Sequence, residues 1–429
     1  MSTAHKTDEE KKEFFDTPEE LDRKVEILAE LIKKSKHFIA FTGAGISTSA
    51  GVADFRSGIN TVLPTGPGKW EKMATGSQQK PKISVNTTSA IPTPTHMALI
   101  KLQEAGYLKF LISQNTDGLH RRSGFPIKNL AELHGNSNLE ICRNPSCGKQ
   151  FLRDYRVRTN RNVHGHETER KCENCGGTLY DTIINFGESL PEKELKAGWE
   201  NARRADLCLS LGSSLRVTPA ASMPEEVARH GGKHVIVNLQ ATPLDEGALR
   251  IDGFIDDVMI KLMEKLRLEI PPFILRRRVM VKKIKDENNK EGLFIRGVDE
   301  FGTPYQLFQR MKATFSESQE MIDVLREPEP ICIFPKKSNM SKDIVTIKFR
   351  FQGHYQEPDY TIDVDLQELK LDQPVYYLLE YNPQVKQWIN CSQTTLKNMN
   401  EEIPKKGGGF FSSIFKPRPA SLSDLEKIK

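Results

Sequence analysis

The chain has 429 residues, 37% hydrophobic and 28% charged, which is enough for two or three domains with sizeable cores. No run of 18 apolar residues occurs, so no membrane span is expected, and Met1 to Lys12 is polar where a secretory signal would be apolar, which points to the cytosol or nucleus and to thiols rather than disulfides for the seven cysteines. A net charge of +5 is too mild to mark a nucleic-acid binder by itself.

A first helix is predicted from Thr17-Pro18-Glu19-Glu20, where Thr17 can cap, Pro18 suits the first turn and Glu20 completes a capping box. Leu21, Val25, Leu28 and Ile32 then share one face, and the helix is expected to close an N-terminal extension over residues 1–36. Apolar runs at Phe38–Phe41, Phe110–Ser113, Leu207–Leu211 and His234–Asn238 alternate with helical patterns and read as strands of a parallel sheet covered on both faces. The predicted class is therefore α/β, with a Rossmann-like doubly wound parallel sheet over residues 37–270. Polar tips at Gln114-Asn115, Gly212-Ser213-Ser214 and Asn238-Leu239-Gln240 follow three of these strands, where an open sheet of this kind presents its ligand crevice.

Residues 136–178 break the pattern with polar, cysteine-containing sequence, as an inserted module would. Cys142, Cys147, Cys172 and Cys175 form two pairs that suit one tetrahedral structural zinc, and bound metal would explain how a segment with so few apolar residues folds. His164 and His166 could substitute as ligands, but four thiolates fill the tetrahedron, which leaves both as expected solvent-facing loop residues. After Pro271-Pro272, period-two runs such as Val345 to Gln352 and Ile362 to Leu366 predict a β-rich accessory domain over residues 279–395, with a hairpin turn at Tyr381-Asn382-Pro383-Gln384. The basic run Arg276-Arg277-Arg278, Lys282, Lys283 and Lys285 reads either as a solvated strand face or as a nuclear-import or phosphate-contact patch. Residues 396–429, with Gly407-Gly408-Gly409 among basic residues, are expected to be a flexible tail.

Chemistry concentrates after the first strand. In Gly43-Ala44-Gly45 the glycines allow a tight turn against a pyrophosphate, with amide hydrogens and a helix N-terminus to meet its charge, although such a pair also occurs as a plain turn. The third fingerprint position is Thr48 rather than glycine, and no clear strand ends in an acidic residue about 20 positions on, so NAD as a co-substrate fits better than NAD as a hydride carrier. His134, followed by Gly135 and close before the cysteine module, is the candidate base, because imidazole titrates near neutrality.

Taken together, Gly43 to Ser47, Asp54-Phe55-Arg56, Thr95-His96, Gln114 to His120, Ala131 to Asn136, the cysteine quartet, Asp181 to Glu188, Gly212 to Leu215 and Val237 to Gln240 resemble the sirtuins, in family order, over residues 18 to 270. Pro18 to Leu21, Asp181-Thr182-Ile183 and Leu268 to Pro271 are similar to the class IV, chromatin-associated nuclear branch. The resemblance implies an NAD-dependent protein-lysine deacylase of histones or other chromatin proteins, releasing free lysine, nicotinamide and O-acyl-ADP-ribose, with His134 taking a proton from a ribose hydroxyl. It assigns Gly43, Ala44, Gly45, Thr48, Asp54, Phe55, Arg56 and Trp70 to the diphosphate and nearby ribose, Asn115 and Asp117 to the nicotinamide pocket, and Gln114 and His134 to its ribose. Gly212, Ser213, Ser214, Asn238, Leu239 and Gln240 fall to the adenosine half, and Ile184, Asn185, Phe186 and Gly187 to the acyl-lysine strand. Departures from the family pattern lie in the cofactor loop, at Ala53, at Ser57-Gly58 and in the added stretch Ile59 to Gly68, and in the nicotinamide pocket at Thr116. A mono-ADP-ribosyltransferase and a non-catalytic NAD-regulated chromatin module, with nucleosome or nucleic-acid contact through the basic segments, remain as alternatives.

Overall fold

A computed structural model describes residues 7–394 apart from 160, 161, 163, 300, 301, 326–330, 337–339 and 341. Six parallel strands form the central sheet in the order Leu249–Ile251, Lys233–Val237, Leu207–Leu211, Phe38–Thr42, Leu108–Ser113, Leu130–Glu132. Numbered along the chain this is the doubly wound order 3-2-1-4-5-6, and the order reverses between Phe38–Thr42 and Leu207–Leu211. The two three-residue edge strands were not predicted, since a segment so short carries no period to detect.

Alternation along the strands explains the two covered faces. Phe38 and Ala40, with Leu207, Leu209, Val235 and Val237, pack on helices Pro18–Lys34, Pro94–Glu104 and Ile255–Lys265. Ile39, Phe41, Ile112, Cys208 and Ile236 pack on helices Glu192–Arg204 and Ser222–Arg229. The first helix starts as expected, with the Thr17 hydroxyl accepting from the Glu20 amide at 3.3 Å, but the Glu20 carboxylate binds Arg23 instead of closing the capping box.

The cysteine module is a four-stranded antiparallel sheet, Gln150–Leu152, Leu139–Cys142, Thr178–Asp181, Glu167–Lys171, so its last strand runs past 178 to Asp181. Its apolar core holds little beyond Phe151, Leu179 and the cysteines. Fully buried Glu140 is neutralised by Arg153 and Arg170, each at 2.7 Å.

The C-terminal region is a β-sandwich. A five-stranded sheet, Ile331–Ile333, Glu291–Val298, Leu275–Lys285, Pro374–Asn382, Gln387–Thr394, faces a four-stranded one, Met321–Leu325, Phe308–Phe315, Ile344–Phe351, Tyr360–Asp365. Val279, Val281 and Ile295 of the first sheet meet Phe315, Ile347 and Phe349 of the second in one core. Regular strand begins at Leu275, four residues before the expected boundary at 279; Leu275 is already buried in the core of the α/β domain and Arg277 against Asp154 and Glu357. The predicted tail, 396–429, lies outside the described residues.

Of the two readings of the basic run, the strand face holds for part of it: Arg276, Lys282 and Lys285 stay partly exposed and pair with Glu380, Asp372 and Glu291, while Arg277 and Lys283 turn inward, Arg277 to Asp154 and Glu357 and Lys283 to the Met340 and Leu366 carbonyls. The sandwich also packs directly on the rest of the fold. Phe273, Leu275, Tyr355 and Tyr381 belong to the same apolar core as Val25 and Leu99, and polar contacts reach the cysteine module from Arg296 to Glu173 at 2.7 Å and from Tyr305 to Asp154 at 3.2 Å.

Candidate functional site

At the reversal of strand order, the loops after Phe38–Thr42 and Leu207–Leu211 diverge and leave a cavity of about 790 Å³. Its floor is backbone against backbone. A Cβ on Gly43 would lie 2.6 Å from the Gly212 carbonyl oxygen and one on Gly45 2.7 Å from the Gly212 Cα, so these glycines are demanded first by loop contact. The turn that follows, Ala44–Ser47, is a four-residue 3₁₀ segment, which replaces the expected helix N-terminus. Gly43, Ala44, Gly45, Thr48, Gly212, Ser213, Ser214, Asn238, Leu239 and Gln240 all line the cavity.

Opposite them stands the loop after Leu108–Ser113. Asn115 Nδ2 donates to the Gly43 carbonyl at 3.0 Å, which fixes the amide across the crevice. Asp117, assigned with Asn115 to the nicotinamide pocket, is not itself among the residues lining the cavity; its carboxylate accepts from Ser47 Oγ at 2.7 Å and from the Leu119 amide at 2.8 Å. It clamps the nicotinamide-pocket loop to the glycine turn. Gln114 accepts from Ser213 Oγ at 2.9 Å, and its Nε2 is buried with no hydrogen-bond partner among the described residues, a donor kept for a ligand oxygen.

His134 half-emerges into the same cavity. Its Nδ1 is 3.0 Å from the Gln114 carbonyl oxygen, which can only accept, so Nδ1 carries the hydrogen and Nε2 keeps its lone pair. Burial lowers the pKa below the ordinary 6.5, partly offset by that hydrogen bond, so the ring is neutral at physiological pH. The glycine after it is obligatory. Gly135 has φ +76°, and a Cβ there would sit 1.7 Å from the Thr182 carbonyl oxygen.

The cofactor loop forms one wall. Asp54 shapes it, accepting from the Arg56 and Ser57 amides at 3.1 and 3.0 Å. The Arg56 guanidinium stacks 4.7 Å from the Trp70 ring centre, and Phe55 and Phe186 flank that ring at 5.0 and 5.6 Å. Burial, then neighbouring Arg216, lower Arg56 to about 10, which leaves it charged at neutral pH and suited to an anionic diphosphate. Sequence reasoning missed what holds the added stretch. Glu13 accepts from Thr61 Oγ1 at 2.6 Å and from the Val62 amide at 2.9 Å, Lys11 pairs with buried Glu71 at 2.9 Å, and Glu13 itself lines the cavity. Phe254, Leu190 and Val217, also in the lining, were likewise not foreseen.

Ile184, Asn185, Phe186 and Gly187 reach the cavity beside His134, the Ile184 amide donating to the His134 carbonyl at 3.1 Å. Glu188 closes this segment on itself by accepting from the Asn185 amide at 2.7 Å. Burial would raise its carboxyl, but that amide and the side chains of His164, Asn185 and His166 bring it down to about 2. His166 is thus no solvent-facing loop residue: it is 15% exposed and bridges Asp181 and Glu188 at 3.0 and 3.2 Å. His164, 66% exposed, pairs with Glu188 at 2.8 Å.

The sulfurs of Cys142, Cys147, Cys172 and Cys175 lie within 4.8 Å of one another, with Cys142 to Cys175 at 3.4 Å and Cys147 to Cys172 at 3.7 Å. Tetrahedral zinc with bonds of about 2.3 Å sets sulfurs roughly 3.8 Å apart, so the quartet fits the ion. Asn174 and Asn144 donate to Cys147 and Cys175 sulfur at 3.3 and 3.7 Å, which supports thiolates. Both histidines are engaged elsewhere.

A profile of the Sir2 family matches residues 43–219. "NAD-dependent protein deacetylase SRT1" of Arabidopsis thaliana is 36% identical over 425 residues, covering 97% of this chain and 84% of that one. "NAD-dependent protein deacetylase Sirt6" of Drosophila melanogaster is 41% identical over 272 residues, 61% of this chain and 81% of the relative, and human "NAD-dependent protein deacetylase sirtuin-7" is 39% identical over 269 residues, 61% and 64%. The solved structure titled "Sir2-p53 peptide-NAD+" aligns at 29% identity and a TM-score of 0.42 over 56% of this chain and 98% of that one. With the doubly wound sheet, the crevice and the cysteine quartet in place, a relative matched over nearly the whole length establishes that this chain belongs to the Sir2, or sirtuin, family.

Proposed function

We propose that this protein is an NAD-dependent protein-lysine deacetylase whose substrates are histones or other chromatin proteins, and that it works in the nucleus. The observation that carries the chemistry is His134, an imidazole whose Nδ1 hydrogen is committed to the Gln114 carbonyl and whose neutral Nε2 is left as a base within the crevice. The names of the relatives support an NAD-dependent protein deacetylase, and the resemblance of the sequence motifs to the class IV branch supports the chromatin substrates.

NAD, when bound, supplies an electrophilic ribose carbon and a leaving nicotinamide. Arg56, with Ala44, Gly45, Thr48, Phe55 and Trp70, would hold its diphosphate side, and Ser214, Asn238 and Gln240 its adenosine side. Asn238 donates to the Gln240 carbonyl at 2.7 Å and Gln240 to the Lys11 carbonyl at 3.3 Å, which fixes both side chains in the cavity wall. Gln114 Nε2 would donate to a ribose oxygen, Asn115 holds the nicotinamide pocket shut against Gly43, and the Ile184–Gly187 segment would align the acyl-lysine backbone beside His134. Phe186 and Trp70, with ring centres 5.6 Å apart in the cavity lining, would offer an apolar surface to the lysine stem. His134 Nε2 then takes the proton from a ribose hydroxyl. The four cysteines would hold zinc away from this crevice, as a structural ion with no open position.

The test is incubation of the full chain with an acetylated histone peptide and NAD, with products identified by mass. Nicotinamide, deacetylated peptide and O-acetyl-ADP-ribose in equal amounts are expected. ADP-ribose attached to protein without deacetylation would assign a transferase instead, and no turnover of NAD would leave a binding module.

A further inference from the structure

Arg122 is a cation that forms no ion pair with a carboxylate among the described residues. Its guanidinium instead gathers oxygens from three parts of the fold. Nη2 donates to the Asp117 carbonyl at 2.8 Å and to the Thr87 carbonyl, and Nη1 donates to the Thr88 and Ala90 carbonyls at 3.1 and 3.2 Å and to the Tyr355 hydroxyl at 2.9 Å. Asp117 ends the loop that carries Asn115. Thr87–Ala90 leads to Thr93, whose hydroxyl donates to the Ile46 carbonyl in the glycine turn at 3.1 Å. Tyr355 is the sandwich's contribution, 233 positions along the chain from Arg122 and only 5% exposed.

Tyr355 is itself held in place. Tyr381 Oη donates to the Tyr355 carbonyl at 3.3 Å, the Tyr355 amide donates to Glu357 at 3.0 Å, and Glu357 binds buried Arg277. Its ring lies 6.0 Å from that of Phe273. The phenol therefore arrives at Arg122 with its position already fixed by the sandwich. A planar donor group satisfied along several edges has one orientation, and that orientation sets the Asp117 carbonyl and hence the Asn115 loop.

We propose that Tyr355 is a positioning residue for the NAD site, acting through Arg122, so that the β-sandwich is a working part of the catalytic unit rather than a recruitment module alone. The rate readout of the test rests on the deacetylase function proposed above, whereas the exchange readout does not. The full chain is compared with Tyr355→Phe, Arg122→Lys and the double variant, with Arg296→Gln as a control that cuts a sandwich contact to the cysteine module far from the crevice. Phenylalanine keeps the ring and removes only the hydroxyl.

Amide hydrogen exchange in the ligand-free protein, read over residues 84–93 and 114–124, should accelerate about ten-fold in Tyr355→Phe, the factor that one hydrogen bond to a charged donor carries, and should not change in Arg296→Gln. In turnover, kcat should fall by a similar factor with the peptide KM unchanged, and Tyr355→Phe should have a clearly smaller effect in the Arg122→Lys background, where only the hydroxyl's donation to the Ala90 carbonyl at 3.5 Å is left to lose. Unchanged exchange in Tyr355→Phe overturns the proposal even if the enzyme deacetylates well. So does a Tyr355→Phe effect of the same size with and without Arg122→Lys. A wild-type chain that releases no nicotinamide overturns the deacetylase function instead, and exchange still decides the positioning role.

Discussion

Arg277→Met tests the buried junction between the sandwich and the cysteine module. Arg277 is 2% exposed and faces the side chains of Glu357, fully buried, and Asp154, 5% exposed. Methionine fills much the same volume but strands two carboxylates, and removing one partner of a buried pair costs about 3–5 kcal/mol. At roughly 2–4 °C per kcal/mol for domains of this size, the melting temperature should fall by about 10 °C. Glu357→Gln added to Arg277→Met removes one stranded charge and should recover about 2 kcal/mol, a coupling typical of residues in contact. Burial raises the Glu357 carboxyl, but the charge and hydrogen bond of Arg277 outweigh it and the net shift is downward. The pair's contribution is therefore complete above the unfolded pKa near 4.5 and is lost only as pH falls through the lower folded value, so the penalty should be constant from pH 6 to 8. Calorimetry on the four proteins of the cycle measures both quantities. A single variant within about 1 kcal/mol of wild type, or a double variant no more stable than Arg277→Met, would refute the buried pair.

Three further outcomes follow from the site. His134→Ala should keep the melting temperature and lose about 10²-fold or more in kcat, and because burial lowers the His134 pKa, the acid limb of wild-type kcat/KM should centre below 6.5 with a plateau above it; a limb centred above 6.5 would contradict the assignment. About one zinc per chain should be found by elemental analysis, and Cys172→Ser should lower stability and zinc content together, whereas fully metallated Cys172→Ser would exclude the quartet as the site. Gly135→Ala, with its Cβ 1.7 Å from a backbone oxygen, should cost roughly 3 kcal/mol or more or prevent soluble expression, while Gly148→Ala, at φ +57° with nothing within 4 Å, should cost about 1 kcal/mol; equal costs at the two positions would show that the contact with Thr182 does not decide.

Local patterns were the legible ones. The cysteine pairs announce their geometry because metal spacing is set within a few residues, and the strands around Phe38 and Leu207 show as unbroken apolar runs because both sheet faces are covered. Most of the site was also visible as polar residues at strand ends. Contacts between distant segments were not. Nothing near Glu13 says that it meets Thr61 and Val62, and nothing in the triple arginine says that Arg277 is buried while Arg276 stays at the surface. Asp117 was picked out by resemblance, but its partner Ser47, 70 positions away, could not be read from the residues around it. The basic run was legible as a strand face, but which of its members turn inward was not, because Glu357 and the Met340 and Leu366 carbonyls that receive Arg277 and Lys283 come from distant segments.

The contact between Gly43, Gly45 and Gly212 builds the base of the crevice largely from peptide groups. None of these three positions has room for a side chain, so variation within a lineage of such enzymes has mainly the walls to work on. Selective inhibitors should follow the same logic. A compound seated on the base meets groups that any relative with this turn also presents, whereas one that reaches Trp70, Phe186 or the N-terminal segment at Glu13 touches features that are free to differ. Discrimination should then grow with distance from the glycines.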